Sequence, residues 1–232
     1  WPHLHALVAH DAELASTGIT TVFDALRVGS IHTGKGGYSP YARNLANELL
    51  AAREQDVFKI SHFLHLRAEI CSETLIQEMA DFGPDDRVGI VSLMDHTPGQ
   101  RQFRDVAALK AYIAKKRGMN DDEFKAHVQN LLNLQARNGA KHETVAVQEA
   151  NRYGAALASH DDTTTAHVEK SKVSGVKFAE FPRTFEAAQA CRENGIGVMM
   201  GAPNIVRGGS HSGNVSARDL ADADLLDMIS SD

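Results

Sequence analysis

Seven short apolar runs recur along the chain, each separated from the next by a stretch with helical signals, and this alternation limits the fold most. The runs span residues 19–25, 60–66, 88–94, 154–159, 173–178, 196–200 and 226–230. They alternate little between apolar and polar residues, as strands covered on both faces do. Parallel strands need long crossovers, which the intervening helices supply. Ser72 ahead of Leu75, Ile76 and Met79 predicts one helix start, and the box Asn120 with Glu123 predicts another. Thr163 or Thr164, Thr184, and Ser216 with Asp219 predict three more. Asn138-Gly139 predicts a break between two helices, and Asn194-Gly195 a helix end.

Both a doubly wound sheet and a (β/α)8 barrel satisfy this pattern. Polar residues separate them, because they follow several different runs: Glu69, Asp95-His96, His160-Asp161-Asp162 and Asp232. A barrel gathers such strand ends on one face, whereas a doubly wound sheet concentrates ligands at its switch point. The expectation is therefore an α/β (β/α)8 TIM barrel. A count of seven predicts that the first strand is missing from residues 1–232, which then form a single, incomplete barrel domain. The start at Trp1 and the stop at Asp232, directly behind an apolar run, likewise predict a piece of a longer protein.

Composition excludes some functions. With 24 Lys plus Arg against 30 Asp plus Glu, the chain carries a formal charge of −6 and no basic stripe for nucleic acid. No apolar run approaches the roughly 18 residues of a membrane span, and no signal-peptide pattern opens the chain. Cys71 and Cys191 stand far apart, outside any CxxC spacing, which suits a reduced, cytoplasmic setting.

His160 follows a strand and precedes a helix, where a neutral imidazole can ligate a metal while Asp161 or Asp162 orients it. His96, in Ser92–Gly99 (SLMDHTPG), repeats the arrangement. His65, Arg67 and Glu69 alternate, so they share one strand face and need partners or a bound group if they point inward. Asp232 could hold a metal and accept a proton from an attacking water. In Gly201–Asn214 (GAPNIVRGGSHSGN), which reads as a loop, Gly208 and Gly209 permit close backbone approach while Arg207, Ser210 and His211 supply donors suited to phosphate. The stretch TGKGG at 33–37 lacks Walker A spacing and reads as a solvent loop. No GxSxG or HExxH is present.

The strings HLRAE, SLMDHTPGQRQF, SHDDTT, GAPNIVRGGSHSGN and SSD resemble, in order along the chain, the amidohydrolase superfamily and its diphosphatases of the carbon–phosphorus lyase pathway. The resemblance implies a (β/α)8 barrel with one or two divalent ions, zinc or manganese, at its carboxyl-end face. It implies metal ligands at Glu69, His96, His160 and Asp232, with Asp232 also the catalytic base. Arg67, Arg207, Gly208, Gly209, Ser210 and His211 become the phosphate-binding set. The superfamily's first-strand His-x-His pair lies upstream of the matching region. His3-Leu4-His5 has its spacing but follows Trp1-Pro2 rather than a strand. The small β-sandwich that accompanies the barrel is absent too.

The implied activity is cleavage of a sugar phosphonate 5-triphosphate to the 5-phosphate and pyrophosphate in phosphonate catabolism, with that phosphorylated sugar as partner. Hydrolysis of an amide or amidine by the same kind of centre is an alternative within the superfamily. A non-catalytic barrel piece is the alternative of another class, and its two open edges would favour self-association into a homo-oligomer.

Overall fold

Each of the seven runs contributes to a strand, and the strands join one sheet. The computed structural model describes residues 3–32, 37–103, 109–110, 118–209 and 214–231. The strands are β1 (Thr21–Val28), β2 (Ser61–Glu69), β3 (Val88–Met94), β4 (Ala156–His160), β5 (Phe178–Glu180), β6 (Gly197–Gly201) and β7 (Met228–Ser230). They lie in sequence order with every neighbouring pair parallel. A doubly wound sheet would reverse its order at a switch point. This one does not.

Sequential order curls the sheet. Strands lie about 4.8 Å apart, so β2 and β5 would be separated by about 14 Å in a flat sheet. Yet His65 of β2 reaches Glu180 of β5 at 3.4 Å. Only a half-barrel with these side chains on its concave face permits that contact. Among the described residues, β1 and β7 each pair with a single strand.

The helices are α1 (Leu4–Ser16), α2 (Ala42–Glu54), α3 (Leu75–Ala80), α4 (Asp121–Tyr153), α5 (Thr165–Val173), α6 (Phe185–Glu193), α7 (Ala202–Val206) and α8 (Ala217–Asp222). They cover the convex side. Leu26, Leu64, Leu66, Val91 and Val198 of the strands meet small helix residues such as Ala46, Ala146, Ala150 and Ala187 in one continuous core. Alanines let the helix axes approach the sheet closely without leaving voids. No described helix is long and apolar enough to cross a membrane. Cys71 and Cys191 are both free and buried, and burial pushes each thiol up to about 12.

Asn120 caps α4 as expected, accepting from the amides of Asp122 and Glu123, while Thr164, Thr184 and Ser216 cap α5, α6 and α8. Four expectations need correction. Asn138-Gly139 does not break the helix, because α4 runs unbroken through 33 residues. Asn138 Nδ2 donates to Ser72 O at 2.8 Å, and Gly139 is buried, so tertiary contacts outweigh the local preference for a turn. Ser72 does not cap α3. Thr74 holds that position, and its hydroxyl engages Glu78 and the amide of Ser30. The fifth run also begins too early: Val173 ends α5 and is 89% exposed, so β5 starts only at Phe178. Finally, the segment from Gly201 opens as a short helix, α7, with Pro203 in its first turn.

Candidate active site

Strand alternation places His65, Arg67 and Glu69 on the concave face of β2, and each finds a partner on a later strand. His65 Nε2 lies 2.5 Å from Ser92 Oγ of β3 and 3.4 Å from Glu180 Oε1 of β5. Arg67 Nη2 donates to His160 Nε2 at 3.1 Å. Glu69 Oε2 meets His96 Nδ1, and its Oε1 accepts the amides of His96 at 3.3 Å and Cys71 at 3.4 Å. The rings of His96 and His160 stand edge-on, 5.9 Å between centroids.

The chain kinks where β4 ends. Asp161 adopts a left-handed conformation (φ 57°), which Asp tolerates better than most residues, and its amide donates to Glu180 O at 2.9 Å. The kink returns Asp161 Oδ2 to 2.8 Å from His160 Nδ1. With the proton held on Nδ1, the Nε2 lone pair faces the interior, which matches its acceptance of the Arg67 donor. Arg183 Nη1 stands 3.5 Å from Asp161 Oδ1. Arg101 Nη1 clamps the same turn by donating to His160 O at 2.8 Å and to Asp162 Oδ1 at 2.6 Å. After β5, Phe181 is also left-handed (φ 55°), and its ring lies edge-on 5.4 Å from that of His160.

Burial and charge set the protonation states. Burial, helped by Arg67 and His160, drives the His65 imidazole down to about 3, so it is neutral. The neutral ring's Nε2 and the Ser92 hydroxyl form the hydrogen bond between them. Burial opposes charge on His96, but the Glu69 carboxylate outweighs it and raises the imidazole. Burial would raise Asp161, but His160 and Arg183 hold it below the ordinary carboxylate value. Glu180 is raised by burial, with His160, Ser92 and Arg67 opposing.

The donor set fits a divalent cation. His96, His160 and Asp161 each offer a ligand atom, and all three atoms lie within 4.8 Å of one another. Imidazole nitrogen with carboxylate oxygen suits zinc or manganese. Glu180 Oε2 is buried without a hydrogen-bond partner, 3.9 Å from His160 Nε2.

Other expected residues stand apart. Arg207 is exposed at the end of α7, followed by Gly208 (φ 76°) and Gly209 (φ 146°). No hydrogen bond or ion pair among the described residues joins these three to the histidines. Ser210, His211 and Asp232 lie outside the described residues, as does most of TGKGG. His3 precedes α1 and pairs with Glu48 of α2, so His3-Leu4-His5 is a surface feature and no strand-borne pair. Sequence reasoning missed Glu180, Ser92, Arg101 and Arg183. Glu180 carried the same signal as Glu69 and His160, a polar residue ending a strand, but the misplaced fifth run hid it.

The fold and site together define an α/β half-barrel with imidazoles and carboxylates converging at the carboxyl ends of β2 to β5. Over all 232 residues the chain is 41% identical to the alpha-D-ribose 1-methylphosphonate 5-triphosphate diphosphatase of Escherichia coli (strain K12), and it spans 61% of that protein's length. No family model matches the chain.

Proposed function

We propose that the chain forms most of a (β/α)8 barrel of the amidohydrolase type, and that the protein is a metal-dependent diphosphatase of phosphonate catabolism in the cytoplasm. Its substrate would be α-D-ribose 1-methylphosphonate 5-triphosphate, cleaved to the 5-phosphate and pyrophosphate. The observation that carries this is the 41% identity across the whole chain. The clustering of His96, His160 and Asp161 within one ion's reach supports it.

In this proposal His96, His160, Glu69 and Asp232 hold one or two divalent ions, zinc or manganese. A cation bound there lowers the pKa of water and neutralises charge developing on phosphoryl oxygens. Asp161 keeps the His160 proton on Nδ1 and so fixes which nitrogen faces inward. Asp232 takes the proton of the attacking water. The bond between the first and second phosphoryl groups breaks, and its electron pair leaves with pyrophosphate. Arg67, already beside His160, draws the anionic oxygens inward. Arg207, Gly208, Gly209, Ser210 and His211 would bind the outer phosphates.

His160→Ala in the full chain tests the assignment. Turnover should vanish while the protein stays folded. Full activity in that variant would overturn it.

A further inference from the structure

Glu180 belongs to the interior cluster, and the function above gives it no role. It ends β5, directly beside His160 in the parallel register between β4 and β5. Only 2% of it is exposed. Its two oxygens have different surroundings. Oε1 lies 3.4 Å from His65 Nε2, within the network of Ser92 and His65. Oε2 has no hydrogen-bond partner. A buried carboxylate oxygen without a donor is costly unless a positive group meets it.

One ligand-type atom beside Oε2 is informative. His160 Nε2 lies 3.9 Å away, and because Asp161 engages Nδ1 the Nε2 lone pair, which now accepts from Arg67, is the one that faces Oε2's side of the site. Two donors that share one ion at about 2.0–2.2 Å each can lie at most about 4.4 Å apart. Oε2 and Nε2 therefore stand within sharing distance without moving. Arg67 donates to the same nitrogen at 3.1 Å, so this is already a place where positive charge settles.

We propose that Glu180 is a carboxylate ligand of this centre, presenting Oε2 to the divalent cation that His160 binds through Nε2. The inference rests on the metal-dependent function proposed above. Oε1 stays with the buried Ser92–His65 pair, which fixes the carboxylate's rotation. Glu180 thus acts as a ligand with its own orienting partners, the arrangement that keeps a metal site rigid.

Calorimetric titration of manganese into the metal-free full chain tests this, with circular dichroism to verify folding. Glu180→Gln should weaken binding by at least about 10- to 100-fold, the loss that removing a mere orienting partner already causes. Ser92→Ala, which removes only an orienting group, should weaken binding by less than Glu180→Gln does. Should Glu180→Gln fail to fold, Glu180→Asp keeps the charge but withdraws the oxygen, and it too should bind more weakly. Parent-like affinity in a folded Glu180→Gln or Glu180→Asp variant would overturn the inference while leaving the metal-dependent function intact. A parent chain that binds no manganese or zinc would overturn both.

Discussion

The carboxylate of Asp161 meets the imidazole of His160 at 2.8 Å, although the two residues are adjacent in the chain. Neighbouring side chains on a strand point to opposite faces, and only the left-handed turn at Asp161 brings the pair together. Asp161→Asn keeps the shape and tolerates that backbone but removes the charge. It should lower kcat/KM by about 10- to 100-fold with little change in Tm. Asp161→Ala should add a loss of stability of about 1–2 kcal/mol from the left-handed backbone. Steady-state kinetics beside thermal melts check both. An unchanged kcat/KM in Asp161→Asn would show that the pair does not tune the site.

Arg101 ties the turn down from outside. It donates both to the carbonyl of His160 and to the fully buried Asp162. Arg101→Ala leaves that carboxylate with the Ser159 hydroxyl as its remaining side-chain donor. Breaking a buried pair in this way costs about 3–5 kcal/mol. Urea denaturation should show a loss of this size, and activity should fall with it. A loss within the range of a surface substitution would mean that the clamp is not needed.

At the other end of β2, His62 lies between Asp11 of α1, at 3.3 Å, and Asp24 of β1, at 2.7 Å. Burial pushes the His62 imidazole down, but the two carboxylates prevail and raise it. Burial would raise Asp11, but the amides of Lys59 and Ile60 and the His62 ring lower it. The stabilisation from His62 is fully present below 6.5, its ordinary value, and is lost as pH rises through the raised value. The part from Asp11 is present above 3.8 and is lost as pH falls through the depressed value. The cluster should therefore stabilise most between those two ordinary values. Asp11→Asn should lower Tm most within this span and flatten its decline on either side, and a profile that keeps the parent's shape would contradict the assignment.

Gly139 sits inside α4, where glycine is about 1 kcal/mol less favourable than alanine. The three atoms nearest an added Cβ all belong to the Gln135 side chain, its amide nitrogen at 3.2 Å. A flexible side chain can withdraw, so Gly139→Ala should stabilise the protein by up to about 1 kcal/mol. A lowered Tm would mean that Gln135 is held in place.

Much of the architecture was legible because it depends on periodicity. The unalternating runs around Val91 and Val198 marked buried parallel strands, whereas the run around Val22 became an edge strand among the described residues, with Phe23 exposed. The alternation of His65, Arg67 and Glu69 put all three on one strand face. His96 and His160 were legible from position, since each follows a strand. Long-range contacts were not. Nothing local showed that Asn138 would anchor α4 to Ser72 and override a turn signal. Arg101 and Arg183 act through partners 61 and 22 residues away, beyond any local pattern. Glu180 was lost to a boundary error: the apolar stretch at 173–178 includes a helix end and the turn at Gly175 (φ 83°), so its strand end was set before Glu180 instead of on it.

Phosphorus NMR tests the proposed function most directly. The full chain with manganese is incubated with α-D-ribose 1-methylphosphonate 5-triphosphate, and the phosphorus signals are followed over time. Pyrophosphate should appear together with the 5-monophosphate while the methylphosphonate signal persists. Unchanged triphosphate signals from a protein with manganese bound would contradict the diphosphatase assignment and turn attention to amide and amidine substrates.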